Sequence, residues 1–136
     1  MKEIERLKEI ERQKELERQK ELDRLKELVK DFCEERDWDQ FHNPKELAIG
    51  LSTEANELLQ LFRFQSEEQM REMLGKPDTR EQIEDETADI FFFLLRFAQK
   101  NGIDLEQALV RKIEKNRKKY PAELARGKNL KYTEYE

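Results

Sequence analysis

The chain has 136 residues and a formal net charge of −5 at pH 7, with 43% charged residues, four Gly and three Pro. That length bounds one domain, the composition reads as an all-α protein, and the acidic balance argues against nucleic acid as a partner held by general electrostatics. Cys33 is the one cysteine, so a reducing, cytoplasmic setting is expected; the charged N-terminus lacks a signal-peptide core, and the longest apolar run, Ile90 to Leu95, is too short to span a membrane.

From Lys2 the sequence repeats every six residues, as KEIERL, KEIERQ, KELERQ, KELDRL and then KELVKD. Good helix formers without a breaker predict one long helix. Three repeats make about five helical turns, so Ile4, Leu7 and Ile10 return to the face of Leu22, Leu25 and Leu28. Glu11, Lys14, Glu15 and Arg18 interrupt that face, which disfavours a continuous two-stranded coiled coil. Residues 1–21 therefore read as a charged, solvated helical extension, natural or engineered. Residues 22–136 read as the folded domain, since Leu22, Leu25, Val29 and Phe32 first give a persistent apolar stripe.

The first helix is expected to end before Asp37-Trp38-Asp39-Gln40-Phe41-His42, whose side chains favour irregular structure. Asn43-Pro44 is an N-cap and first helical position for a helix running to about Phe64, with Glu46 placed for a capping box. Ser66 caps a short helix ending at Gly75, and Asp78 or Thr79 caps a helix running to Asn101-Gly102. Asp104 caps a last helix that ends before Pro121, and the tail from Gly127 is expected to be irregular. Main helices with short connections predict a four-helix-bundle core, modest enough that oligomerisation would help bury apolar surface.

Two acid pairs, Glu54 with Glu57 and Glu86 with Asp89, are spaced i, i+3, which places each pair on one helix face, about 60° apart. Both lie in apolar stretches, where an unpaired carboxylate is costly and where no lysine or arginine stands close by in sequence. The expected apolar faces are Leu47, Leu51, Ala55, Leu58 and Phe62 on one helix, and Ile83, Ile90, Leu94 and Phe97 on the other. If these helices are antiparallel neighbours, the four acids converge and need a cation. An all-oxygen donor set suits Mg²⁺ or Mn²⁺ better than iron, for which a Glu-x-x-His pattern would be expected. Spacing alone does not separate this reading from acids on ordinary polar faces, as Glu67 with Glu68 illustrates. Lys112 and Asn116, with Arg117, Lys119 and Tyr120, form a basic helix end that either binds phosphate or simply complements the helix dipole. Trp38, Phe41 and His42 form an aromatic group that either stacks a base or packs on the bundle.

Four segments together resemble the MazG-like superfamily of all-α nucleoside triphosphate pyrophosphohydrolases, especially its dCTP pyrophosphatase branch. They are Glu35 to Pro44, Glu54-Ala55-Asn56-Glu57-Leu58, Glu86-Thr87-Ala88-Asp89-Ile90, and Asn116 to Pro121, followed by Lys131-Tyr132-Thr133. The resemblance runs from about Leu25 to Thr133 and leaves out the repeat. It implies a Mg²⁺-dependent hydrolase (Mn²⁺ is the alternative ion) that converts a (d)NTP to the monophosphate and pyrophosphate. Glu54, Glu57, Glu86 and Asp89 would be the catalytic and metal-holding acids, with Glu57 a candidate for orienting water. Trp38, Gln40, His42, Phe64, Phe93, Lys112, Asn116, Arg117 and Tyr120 would bind substrate. Members that prefer dCTP usually carry histidine where Val29 stands, and often Trp and Tyr where Phe64 and Phe93 stand, so the pocket implied here is more apolar. The resemblance also implies a homo-oligomer, a dimer or paired dimers. Other readings stay open: a non-catalytic nucleotide-binding module, or an interaction protein acting through the long helix.

Overall fold

The structure is a computed structural model and describes residues 1–135. Among these residues there is no strand, and they fall into two compact units, Met1–Asn101 and Gly102–Glu136. The first unit holds α1 (Lys2–Glu35), a 3-10 turn (Asp39–Phe41), α2 (Pro44–Phe62), α3 (Glu67–Gly75) and α4 (Pro77–Lys100). The second holds α5 (Leu105–Lys119), α6 (Ala122–Ala125) and a 3-10 turn, Tyr132–Glu134.

The repeat is helical throughout, and every residue from Met1 to Glu21 is exposed. Apolar burial on α1 begins with half-buried Leu22 and Leu25 and deepens at Val29 and Cys33, where the helix packs against α4. The helix closes in a Schellman arrangement. Asp37 N–H donates to Glu34 O at 3.0 Å and Trp38 N–H to Cys33 O at 3.0 Å. Asp37 takes the left-handed conformation this requires, φ 54°, a role more often given to glycine but open to Asp.

Asn43 caps α2 as expected, its side chain accepting from Glu46 N–H, with Pro44 at the first helical position. Ser66 and Gln69 form a reciprocal capping box on α3. The start of α4 differs from the expectation. Lys76 is the N-cap and Pro77 begins the helix, because proline lacks the N–H that a first-turn residue cannot pair anyway. Thr79 serves elsewhere, donating its hydroxyl to Met73 O and Lys76 O and so tying the end of α3 to α4.

α2 and α4 form the main packed pair. They are antiparallel: Glu57 meets Glu86, Gly50 lies under Phe93, and His42, just before α2, meets Arg96, so the contacts run in opposite order along the two segments. The pairing is close at Gly50, where an added Cβ would fall 2.4 Å from the Phe93 ring. The buried apolar side chains are Val29, Cys33, Leu47, Ile83, Leu95 and Ala98. Leu51, Leu58, Phe62, Ile90 and Phe97 are half-buried, as their stripes predict, but Ala55 and Leu94 are exposed. At that end of α4 the buried side is taken by Leu95, Arg96 and Ala98 instead. In the second unit Asp104 caps α5 through Gln107 N–H. Beyond Pro121 the chain adds the single turn α6, which the sequence reading did not anticipate.

Candidate metal centre and adjoining cavity

The antiparallel register brings the acid pairs together. Glu54, Glu57 and Glu86 each offer a carboxylate oxygen, and these oxygens lie within 4.8 Å of one another. Glu54 and Glu86 are half-buried, whereas Glu57 and Asp89 are exposed at the rim. One oxygen of Glu54, Oε2, and one of Glu86, Oε2, are shut away from solvent with no hydrogen-bond partner among the described residues. Such atoms are rare in native structures and carry a desolvation penalty.

The electrostatics follow from that geometry. Burial raises the Glu54 pKa to about 7, with the Glu57 carboxyl and the Asp89 charge adding to it. Burial also raises Glu86, helped by Glu57 and Asp89. Arg96, the buried cation of α4, is committed to Asp39, His42 and Gln99. A cluster of like charges with orphaned oxygens, all of them hard donors, fits a hard divalent cation. Glu54, Glu57 and Glu86 can hold a metal ion; Asp89 contributes charge beside them.

Glu54 and Asp89 also line a cavity of about 570 Å³ whose other walls are Leu28, Val29, Phe32, Trp38, Phe92 and Phe93. The aromatic walls touch edge to face: Phe32 with Trp38 at 5.6 Å between ring centres, Phe32 with Phe92 at 5.7 Å, and Phe92 with Phe93 at 5.4 Å. Trp38 reaches this wall because the Schellman turn at Asp37 reverses the chain beside Phe32. The cavity lining is thus mostly apolar and aromatic with two acids, a composition suited to a flat ring bearing a charged, cation-bound group.

The remaining expected contacts are placed as follows. His42 and Gln40 lie outside the cavity lining. His42 Nδ1 accepts from Arg96 Nε–H at 3.0 Å, and Gln40 donates to Asp37 O and Oδ2. Phe64 follows α2 in a turn closed by Gln65 N–H on Phe62 O, and is 88% exposed at φ 66° under the Arg63 guanidinium. Those are type II turn values, normally a glycine position, so this phenylalanine is held in a strained conformation. In the second unit, Lys112, Asn116, Arg117 and Tyr120 stand on α5 and its C-cap. Arg117 pairs with Glu114, and the Tyr120 ring meets Tyr132 and Tyr135 edge to face, at 6.0 and 5.9 Å.

Sequence reasoning missed Phe92, the role of Phe32 as cavity wall rather than core, and the Arg96 network. The last had a signal: one arginine stands inside the apolar run Ile90 to Ala98. Among the described residues no helix is long and apolar enough to cross a membrane.

The chain is similar to several known proteins. Mouse dCTP pyrophosphatase 1 is 36% identical over 107 residues, covering 79% of this chain and 63% of that protein. The human protein of the same name gives the same identity and coverage. The chain therefore spans somewhat less than two thirds of the length of these curated relatives. A pyrophosphatase from Archaeoglobus fulgidus, solved by crystallography, superposes with a TM-score of 0.69 at 33% identity, over 74% of this chain and 93% of its own. The MazG-like family model matches residues 49–135, a span that takes in both acid pairs, Phe64, Phe93 and the basic end of α5. With the carboxylates gathered across the α2–α4 register and most of the chain matched, the chain belongs to the MazG-like family.

Proposed function

We propose that this protein is a Mg²⁺-dependent nucleoside triphosphate pyrophosphohydrolase, with Mn²⁺ as an alternative ion, acting on a pyrimidine nucleotide such as dCTP. One observation carries the reading: two orphaned carboxylate oxygens in a three-acid cluster, of which Glu54 also lines an apolar, aromatic cavity. The names and activities of the relatives support it.

In this reading Glu54, Glu57, Glu86 and Asp89 hold the cation. Once bound, it supplies charge neutralisation on the phosphate oxygens and polarisation of the scissile anhydride. The chain's own residues do the rest. Trp38, Phe92 and Phe93 enclose the base and exclude water from it, leaving the phosphates at the acidic rim. Glu57, exposed at that rim, orients the attacking water and accepts its proton. Attack at the α-phosphorus releases pyrophosphate and leaves the monophosphate. Lys112, Asn116 and Arg117 carry the donor types that suit phosphate oxygens, while Gln40, His42, Phe64 and Tyr120 are the other expected substrate contacts. Base discrimination is expected to be loose, because the cavity walls are apolar apart from Trp38 and the two acids.

The native form is further proposed to be a dimer or paired dimers with a four-helix core. Large side chains stay exposed on each unit: Ile49, Leu59 and Phe91 on the first, Leu109, Val110 and Ile113 on the second. Residues 1–21 are proposed as an appendage to a catalytic domain of residues 22–136, and the cytosol as its setting. A panel of dNTPs and NTPs with Mg²⁺ and separate detection of pyrophosphate and orthophosphate tests the activity. Pyrophosphate release supports it; stabilisation by nucleotide without turnover would leave only a binding module.

A further inference from the structure

Arg96 is the one charged residue buried in the described structure, at 1% exposure. It stands in an apolar stretch of α4, where a leucine would pack at no electrostatic cost. Each of its three guanidinium nitrogens donates: Nε to His42 Nδ1 at 3.0 Å, Nη2 to Asp39 Oδ1 at 3.0 Å, and Nη1 to Gln99 Oε1 at 2.7 Å. Gln99 in turn donates to Lys26 O on α1 at 3.3 Å, and Lys100 donates to the same Asp39 oxygen at 2.5 Å. Arg96 thus joins α4 directly to the turn that follows Trp38, and through Gln99 to α1 before it.

Apart from Lys100 on Asp39, the segment's other hydrogen bonds are its own turn bonds, such as Gln40 to Asp37 and Phe41 N–H to Trp38 O, and they do not tie it to α4. Asp37, Trp38, Asp39, Gln40 and Phe41 are all exposed, and His42 is half-buried. The chain enters it through a left-handed Asp37, so its direction is fixed at one end by the helix terminus alone. Yet Trp38 must keep its edge against Phe32 to close the cavity, and its other neighbour is His42, 6.3 Å away between ring centres. Arg96 grips Asp39 and His42, the residues next to Trp38 in sequence and in space.

We infer that Arg96 is a positioning residue for the cavity, holding the Asp39–His42 turn so that Trp38 stays in the wall beside Phe32. A planar fork satisfies two partners at fixed angles, which a lysine or an apolar side chain cannot do. The inference deepens the pyrophosphohydrolase reading and rests on it for its kinetic consequence, but its structural claim is independent of any turnover.

Trp38 is the chain's one tryptophan, so its fluorescence reports this wall directly. The experiment compares wild type with Arg96→Met, Arg96→Lys and Asp39→Asn, measuring acrylamide quenching of Trp38, helical content by circular dichroism, and dCTP kinetics with Mg²⁺. With helical content unchanged, Arg96→Met is expected to increase quenching and to raise KM roughly tenfold with kcat little altered. Arg96→Lys, which reaches one partner, restores part of both, and Asp39→Asn shows the same changes at smaller size. Unchanged quenching and KM in folded Arg96 variants would overturn the inference, even if their melting temperatures fall. If those variants do not fold, Asp39→Asn decides: quenching as in wild type overturns it, and increased quenching supports it. A wild-type chain that hydrolyses no nucleotide defeats the activity reading and leaves the quenching comparison to judge Arg96.

Discussion

Glu54 and Glu86 meet across the α2–α4 contact, each with a carboxylate oxygen cut off from solvent and from any donor among the described residues. Two such groups oppose the fold unless a proton or a cation intervenes. This makes the site readable in stability as well as in activity.

Metal-free stability should fall as pH rises from about 4.5 through about 7. Glu54 is raised to about 7 from an ordinary 4.5, so the folded state keeps a proton that the unfolded chain has already lost. A raised acid contributes stability fully present below the unfolded value and lost as pH rises through the folded one. Thermal melts in chelator should show a lower midpoint at pH 8, and millimolar Mg²⁺ or Mn²⁺ should recover more there than at pH 6.5. A midpoint indifferent to both would mean that the acids are not coupled as described.

Removing one charge separates holding the cation from holding the fold. Glu86→Gln relieves repulsion within the cluster, so the metal-free protein should melt higher than wild type. The same change removes a carboxylate proposed to hold the cation, so the stabilisation by cation should vanish and pyrophosphate release should drop on the order of a hundredfold. The two measurements move in opposite directions only if the acid serves function at the expense of stability.

How much of this was legible in the sequence depended on range. Asn43-Pro44, Ser66 with Gln69, and Asp104 announce their helices because capping is a local matter, settled within four residues. The i, i+3 acids announced a shared face for the same reason. Their convergence needed the antiparallel register, which spacing does not carry. The Trp38 position was hidden because Asp37, not glycine, occupies the left-handed site that turns the chain. Arg96 was hidden because its partners lie more than fifty residues away, at Asp39 and His42. A cation in an apolar run says that a partner exists but not which one. Leu94 misled because a helical stripe states which residues share a face, not which part of that face a neighbour covers.

Gly50→Ala should test how tightly α2 sets the cavity wall. The new Cβ would lie 2.4 Å from one Phe93 ring atom and 2.7 Å from two others, so the ring must swing. Alanine gains about 1 kcal/mol of helix propensity over glycine, while overpacking costs roughly 1–3 kcal/mol. The net change in stability is therefore expected to be a small loss. Substrate binding should suffer more, because the displaced ring lines the cavity: KM rises several-fold. A gain in stability with KM unchanged would show that Phe93 has room to move.

Deleting residues 2–21 should leave both activity and melting temperature close to wild type. Every side chain in that stretch is exposed, and a surface ion pair such as Arg12–Glu9 is worth about 0–1 kcal/mol. Loss of turnover on deletion would make the extension part of the working protein and revive the reading in which the long helix acts on a partner.

Acid should loosen Trp38 through His42. Burial lowers the His42 pKa below its usual 6.5, and Arg96 and Lys100 lower it further while Asp39 opposes them. Nδ1 accepts the Arg96 Nε–H, so the neutral ring carries its proton on Nε2, and protonation would set a donor against a donor. A depressed histidine means that the unfolded chain takes up the proton first, so its contribution to stability declines as pH falls below 6.5. Between about pH 7 and 5, Trp38 should become more open to acrylamide, and His42→Asn, whose amide oxygen still accepts at every pH, should flatten that change. The acid cluster gains stability over the same interval, so the two effects have opposite sign. Quenching of the single tryptophan isolates the histidine branch, because Trp38 touches His42 and Phe32, and the proton that stabilises Glu54 has no reason to expose it.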